Sequence, residues 1–199
     1  EKSGFEAVTW LDAGQRSFYT KKPINTPNDL KGLKIRVQQG ATNIRMMELF
    51  GGSATPMGLA EVYTALQQGA ENNELSLTST KHGEVAKFYS YDMHQMVPDI
   101  LIGNLKFLNG LSQEEREIFN EGFKLLSRVQ RDAWEDSVIQ AKQQAQNDMN
   151  VQFIYPDVEL FKEKVLPLHA EVLESNPKLK PIYDRVQEIG REVKKGGNN

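Results

Sequence analysis

Cysteine is absent from all 199 residues, which removes disulfides, thiolate metal sites and cysteine nucleophiles from consideration. Long apolar runs are missing too, and no stretch approaches the ~18 residues that a bilayer-spanning helix needs. The opening Glu-Lys-Ser-Gly-Phe has neither the charged start nor the apolar core of a secretion signal. The expectation is that such a signal has been removed or that the chain begins inside a longer protein. Positive charge is also scarce: 24 Lys and Arg stand against 27 Asp and Glu, a net charge of −3, so no nucleic-acid partner is expected. The one basic cluster, Arg191 to Lys195, reads as a solvated helix end.

Signatures of catalysis are equally thin. The three histidines, His82, His94 and His169, fall in no HxxxH or HExxH spacing, and no GxSxG, P-loop or GxGxxG occurs. His169 reads as a surface residue. His94, within Tyr91-Asp92-Met93-His94, reads as a hydrogen-bonded structural imidazole. Glu71 and Glu74 could pair, yet nothing adjacent in sequence suggests a perturbed carboxylate. No catalytic residue, metal or cofactor is therefore expected.

What is present is an ordinary globular mixture, 39% hydrophobic and 26% charged, long enough to bury a core. Strands are expected at Phe5–Leu11, Arg16–Tyr19, Leu33–Val37, Val97–Gly103 and Val151–Ile154 from their apolar and β-branched patterning. Thr26-Pro27-Asn28-Asp29 starts a one-turn helix that Gly32 ends. Thr42 is placed to cap a helix reaching Phe50, and Thr55-Pro56-Met57 forms an extended link. A helix is expected from Leu59 to Gln68, with Leu59, Val62, Tyr63 and Leu66 on one stripe, whereas Ala70–Ser79 has no clear period. Ser112 and Glu115 form a capping box ahead of a helical period that persists to Asp148, a rod of about 50 Å at 1.5 Å per residue. Its Gly, Ser and Gln content makes a poor coiled-coil seam, so it reads as a helix crossing two lobes. Two further helices are expected near 157–175 and 177–193, the first kinked by Pro167.

Two arginines stand out. Arg16 follows the turn-like Asp12-Ala13-Gly14-Gln15. Arg36 lies in Leu33-Lys34-Ile35-Arg36-Val37, where strict alternation puts Lys34 and Arg36 together on a solvated face. A buried partner would reverse that reading, because a guanidinium presents a planar fork matched to a carboxylate.

These residues also carry a resemblance. Thr26-Pro27-x-Asp29-Leu30-Lys31-Gly32-Leu33-Lys34-Ile35-Arg36-Val37 is followed by Thr55-Pro56-Met57 and by Glu61-Val62-Tyr63-Thr64-Ala65-Leu66-Gln67-Gln68-Gly69. Glu71-Asn72, Glu84-Val85-Ala86-Lys87, His94 and the Leu111-Ser112-x-Glu114-Glu115 helix start come after. Together, over Arg16 to about Tyr155, they resemble the solute-binding proteins of tripartite ATP-independent periplasmic (TRAP) transporters, the DctP-type family. The resemblance implies an α/β fold: a two-lobed, type II-like periplasmic-binding-protein clamshell with a long lobe-spanning helix, the first lobe incomplete here. It divides the chain into a hinge strand and first-lobe remnant (1–11), a ligand-binding lobe (12–95), a return strand with the long helix (96–148) and C-terminal packing elements (149–199). It implies a ligand site in which Arg36 grips a carboxylate, Arg16 assists, Asn72 hydrogen-bonds the ligand, and Gln39 and Leu59 line the pocket. Some relatives carry Phe where Leu59 stands. The junction Gly69-Ala70 is a few residues shorter than the family pattern. The implied protein is a monomeric periplasmic subunit that captures a small organic acid and delivers it to integral-membrane TRAP permease subunits. The residues around Asn72 and His82–Lys87 favour sugar acids such as uronates, with C4-dicarboxylates and keto acids beside them. Two other readings stand next to it: a lyase or isomerase acting on organic acids, and a ligand-responsive interaction or sensory subunit.

Overall fold

The structure, a computed structural model, describes residues 3–66 and 68–196. Two sheets organise it. The smaller pairs β1 (Phe5–Leu11) with β7 (Asp99–Asn104) antiparallel. The larger has six strands in the order β4-β3-β5-β2-β6-β8. These are β2 (Gln15–Thr20), β3 (Lys34–Val37), β4 (Ser53–Pro56), β5 (Gly69–Asn72), β6 (Phe88–Met96) and β8 (Gln152–Ile154). β3 runs parallel to β4 and β5, β2 antiparallel to β5 and β6, and β6 parallel to β8.

Strand alternation sends side chains to both faces of the larger sheet, and each face has its own core. On one, Phe18, Ile35 and Val37 pack with Met46, Met47 and Phe50 of α1 (Ala41–Phe50) and Phe161 and Leu168 of α6 (Val158–Ser175). On the other, Tyr19, Ala70 and Tyr89 pack with Val62 of α2 (Val62–Ala65), Leu77 of α3 (Glu74–Ser79) and Ala145 of α5 (Gln113–Asn147). A short α4 (Leu105–Asn109) follows β7, and α7 (Lys180–Gly196) ends the described chain.

The expected α/β class, with strands in more than one sheet and a long helix between them, is what forms. α5 is one helix of 35 residues, so about 52 Å long. Its Ser112 cap and Glu115 close the capping box read from the sequence. Near its middle it grips the end of β1 and the residue after it: Ser127 Oγ donates to Trp10 O at 2.8 Å, and Gln130 exchanges hydrogen bonds with the backbone of Asp12. Further along, Ala145 is buried in the larger sheet's core, and Ala141, one turn before it, is buried as well. Small side chains let the helix approach closely there.

Several local expectations change. α1 begins after Gly40 rather than at a Thr42 cap. Thr55 and Pro56 are an edge strand, not a link; Pro56 is tolerated because that edge needs no further donor. The helix expected to reach Gln68 is a 3-10 turn (Leu59–Glu61) plus α2, ending at Ala65. Gly69 must already pair with Thr20 and Ile35, so the chain has no room for more turns. Of the expected stripe, Val62 and Leu66 are buried while Leu59 and Tyr63 are exposed, and Gln67 lies outside the described residues. The stretch without a period holds both β5 and α3. β6, the longest strand, and α4 were not legible at all. α6 runs through Pro167 as one element.

Candidate functional site

Glu71 organises the site. It lies on β5 and is 1% exposed. Arg16, on the neighbouring β2, reaches it with two parallel bonds, Nε to Oε2 at 2.5 Å and Nη2 to Oε1 at 3.0 Å. Arg16 Nη2 also donates to the Glu71 carbonyl at 3.0 Å, and Nη1 to Asn72 Oδ1 at 2.9 Å. The backbone N–H of Gln38, just past β3, donates to Glu71 Oε1 at 3.2 Å. Asn73 then caps α3, its Oδ1 accepting from Ser76 N at 2.8 Å. In Glu71-Asn72-Asn73 the three side chains thus hold Arg16 twice and start a helix.

Arg36 approaches from β3. Its Nη1 stands 3.8 Å from Glu71 Oε1, while Nε and Nη2 both donate to the Met57 carbonyl, at 3.1 and 2.7 Å. Nη1 is buried with no hydrogen-bond partner among the described residues. The residue is 4% exposed, so the solvated face expected from alternation is wrong: Arg36 is covered by Met57 and by the neighbouring strands rather than by water. Burial depresses its pKa, and the Glu71 charge works against that.

The third cation comes from β6. Between the pairs Phe18–Ser90 and Arg16–Gln95, one residue of β2 faces four of β6, an arch with Met93 in a left-handed conformation at φ 49°. Asp92 Oδ1 accepts from Phe18 N at 3.0 Å, and Met93 N donates to Ser17 Oγ at 3.2 Å, pinning the arch. It turns Asp92 and His94 inward. His94 stacks on Phe18 at 4.4 Å, donates from Nδ1 to Asp92 Oδ2 at 2.7 Å, and brings Nε2 to 3.7 Å from Glu71 Oε2. Burial alone would lower its pKa, but Asp92 and then Glu71 outweigh that and raise it to about 9. For Glu71 burial favours the neutral acid, yet His94 and Arg16 hold it below the usual carboxylate range. Both shifts favour the charged form, an imidazolium at His94 and a carboxylate at Glu71. Arg16, Arg36 and His94 oppose Glu71 and Asp92, leaving one positive charge in excess.

The cluster gathers three of the five residues implied for ligand binding, Arg16, Arg36 and Asn72. Gln39 and Leu59 are exposed, on the turns after β3 and after β4, and do not join it. Glu71 was passed over because its partner is 55 positions away; the adjacent Glu-Asn was the only signal. The reading of His94 as a hydrogen-bonded imidazole holds for Nδ1, but Nε2 is buried without a hydrogen-bond partner among the described residues. His169 is half-buried against Tyr183, not simply on the surface. His82 is elsewhere, beside the Tyr19 hydroxyl at 2.8 Å, and burial and then the charge of Arg36 lower its pKa to about 4. Among the described residues no group of three His, Asp or Glu side chains is arranged to hold a metal.

Residues 1–176 match the profile of the bacterial extracellular solute-binding proteins of family 7, DctP. The chain belongs to that family. A TRAP periplasmic solute-binding protein from Anaerococcus prevotii, solved with bound α/β-D-glucuronate, is 61% identical and superposes with a TM-score of 0.89. That match covers 96% of this chain and 63% of the other. A TRAP periplasmic solute-binding protein from Sulfitobacter with bound β-D-galacturonate is 38% identical, TM-score 0.84, covering 90% of this chain and 61% of that one. YiiZ of Salmonella typhimurium, uncharacterized, is 42% identical over 189 residues, 92% of this chain and 58% of its own length. The chain therefore spans roughly three-fifths of the family members it matches. α7 lies beyond the matched residues.

Proposed function

We propose that this chain is the ligand-gripping part of a periplasmic TRAP solute-binding subunit for a uronate-type sugar acid, which it hands to membrane permease subunits. The observation that carries the reading is the buried cluster, with one positive charge too many and an Arg36 Nη1 that stands 3.8 Å from Glu71 but makes no hydrogen bond among the described residues. A carboxylate supplies both the missing charge and the missing acceptor, and such pairs are strong where water is excluded. Arg16, locked to Glu71 and Asn72, sets the field behind Arg36, while Gln39 and Leu59, exposed on the turns after β3 and β4, would meet only a ligand that extends beyond the cluster. Uronates are favoured because the Anaerococcus and Sulfitobacter relatives were solved with glucuronate and galacturonate.

The remaining division of the chain follows. In this reading 12–95 is the gripping lobe, 1–11 a hinge strand and remnant of the first lobe, 96–148 the return strand and crossing helix, and 149–199 a C-terminal strand and helices packing on the lobes. Phe5, Ile100 and Ile102 of the smaller sheet and Ile118, Leu125 and Val129 of α5 are half exposed or more, which supports a further lobe closing over that side. The subunit binds without turnover and acts as a monomer.

Calorimetric titration of the full-length protein with D-glucuronate and D-galacturonate tests the proposal. Micromolar binding of a uronate, with at least tenfold weaker binding of the uncharged parent sugar, is expected. Equal affinity for sugar and sugar acid, or consumption of the uronate, overturns it.

A further inference from the structure

The Thr55-Pro56-Met57 motif has a role in the geometry of Arg36. β3 and β4 pair in register, Arg36 with Thr55 and Val37 with Pro56, and Met57 N then donates to Val37 O at 3.3 Å. Pro56, on the outer strand, has no N–H to continue a ladder, and the chain turns away at Gly58 into the 3-10 turn. The turn leaves the Met57 carbonyl aimed at the arginine beside it. A guanidinium has two edges on which a pair of N–H donors point the same way, Nε with one Nη and Nη1 with Nη2. In Arg36 the carbonyl fills the first, taking Nε and Nη2 together. The second keeps the other hydrogen of Nη2, together with Nη1, which is buried 3.8 Å from Glu71 Oε1 and makes no hydrogen bond among the described residues.

We infer that the Met57 carbonyl is a positioning and specificity group: it fixes the plane of Arg36 and leaves only the Nη1–Nη2 edge for the ligand. The inference rests on the reading of Arg36 as the carboxylate-gripping residue. An edge with two parallel donors accepts a carboxylate with both oxygens. It rejects a carboxamide, whose NH2 would face a second donor. Were the guanidinium free to tilt, a single acceptor could take one N–H from either edge, and the distinction would fade. The selected class is thus a planar oxyanion with two oxygens on one side.

The test weakens one atom. Glycolic acid in place of Gly58 turns the 57–58 amide into an ester, making the Met57 carbonyl a poorer acceptor while every side chain remains. The full-length protein, unmodified and ester-bearing, is titrated with D-glucuronate and with D-glucuronamide. The expected result is a roughly tenfold loss for glucuronate, little change for the amide and an unchanged melting temperature. An equal loss for both ligands, or none for either, overturns the inference. In the unmodified protein, the Arg36 Nε–H resonance should be observable before ligand is added and move less than the Nη resonances on binding. A larger shift at Nε places the ligand on the other edge and refutes it. Failure of the unmodified protein to bind any organic acid refutes instead the functional reading beneath, and this inference with it.

Discussion

Replacing Glu71 by Gln removes one of two anions from a buried group of five charges. The side chains of Arg16, Glu71 and His94 are 8%, 2% and 1% exposed, so water does little to screen the change. With Glu71→Gln the excess rises from one positive charge to two, and Arg16 keeps the carbonyl of residue 71, Asn72 and one neutral amide oxygen in place of two carboxylate oxygens. Breaking a buried pair by removing one partner costs ~3–5 kcal/mol, and here Arg36 and His94 lose their neighbour too. The complementary change, Arg16→Met, lowers the excess to zero and leaves Glu71 facing His94, Arg36 and the Gln38 N–H. It should cost less, ~2 kcal/mol, mostly lost hydrogen bonds. Urea unfolding at pH 7 should therefore rank wild type above Arg16→Met and Arg16→Met above Glu71→Gln. In a protein of this size each kcal/mol moves the melting temperature by ~2–4 °C, so Glu71→Gln should melt roughly 10 °C lower. The sign with pH follows from the depressed pKa. Glu71 stabilises the fold above its ordinary value near 4.5, and that contribution is lost as pH falls through the lower folded value. Glu71→Gln should therefore approach wild type under acid. A cost below 1 kcal/mol at neutral pH, or the reverse order of the two variants, would refute the charge count.

His94 titrates the other way. Its pKa rises from about 6.5 to about 9, so its contribution is full below pH 6.5 and fades as pH rises through 9; His94→Gln should flatten the unfolding free energy measured across that window. Arg36→Ala should weaken D-glucuronate by ~3 kcal/mol or more, over a hundredfold, and calorimetry finding less than a threefold change would sink its assignment. At Gly69 an added Cβ would lie 2.9 Å from the Tyr19 carbonyl and 3.0 Å from Ile35, so Gly69→Ala should cost ~1–3 kcal/mol in thermal unfolding.

Periodic elements were legible in this chain because their patterns are local. The capping box at Ser112 and the apolar period behind it specified α5, and alternation in Leu33–Val37 specified β3. Glycine and proline at 26–32 specified a single helical turn. Arg16, Arg36 and Asn72 were legible through the family resemblance, not through spacing. Alternation even misassigned Arg36, since it says which side chains share a face but not what covers that face. β6 was invisible because the arch at 91–94 breaks its alternation where it builds the site. The role of Glu71 depends on Arg16 and Gln38, 55 and 33 positions away, and that of Met57 on a carbonyl that no side-chain pattern encodes. The sequence by itself determined helix starts, strand runs and the charges available. Only the tertiary structure decided which of those charges lost their water, because burial is a property of neighbours brought together across the chain.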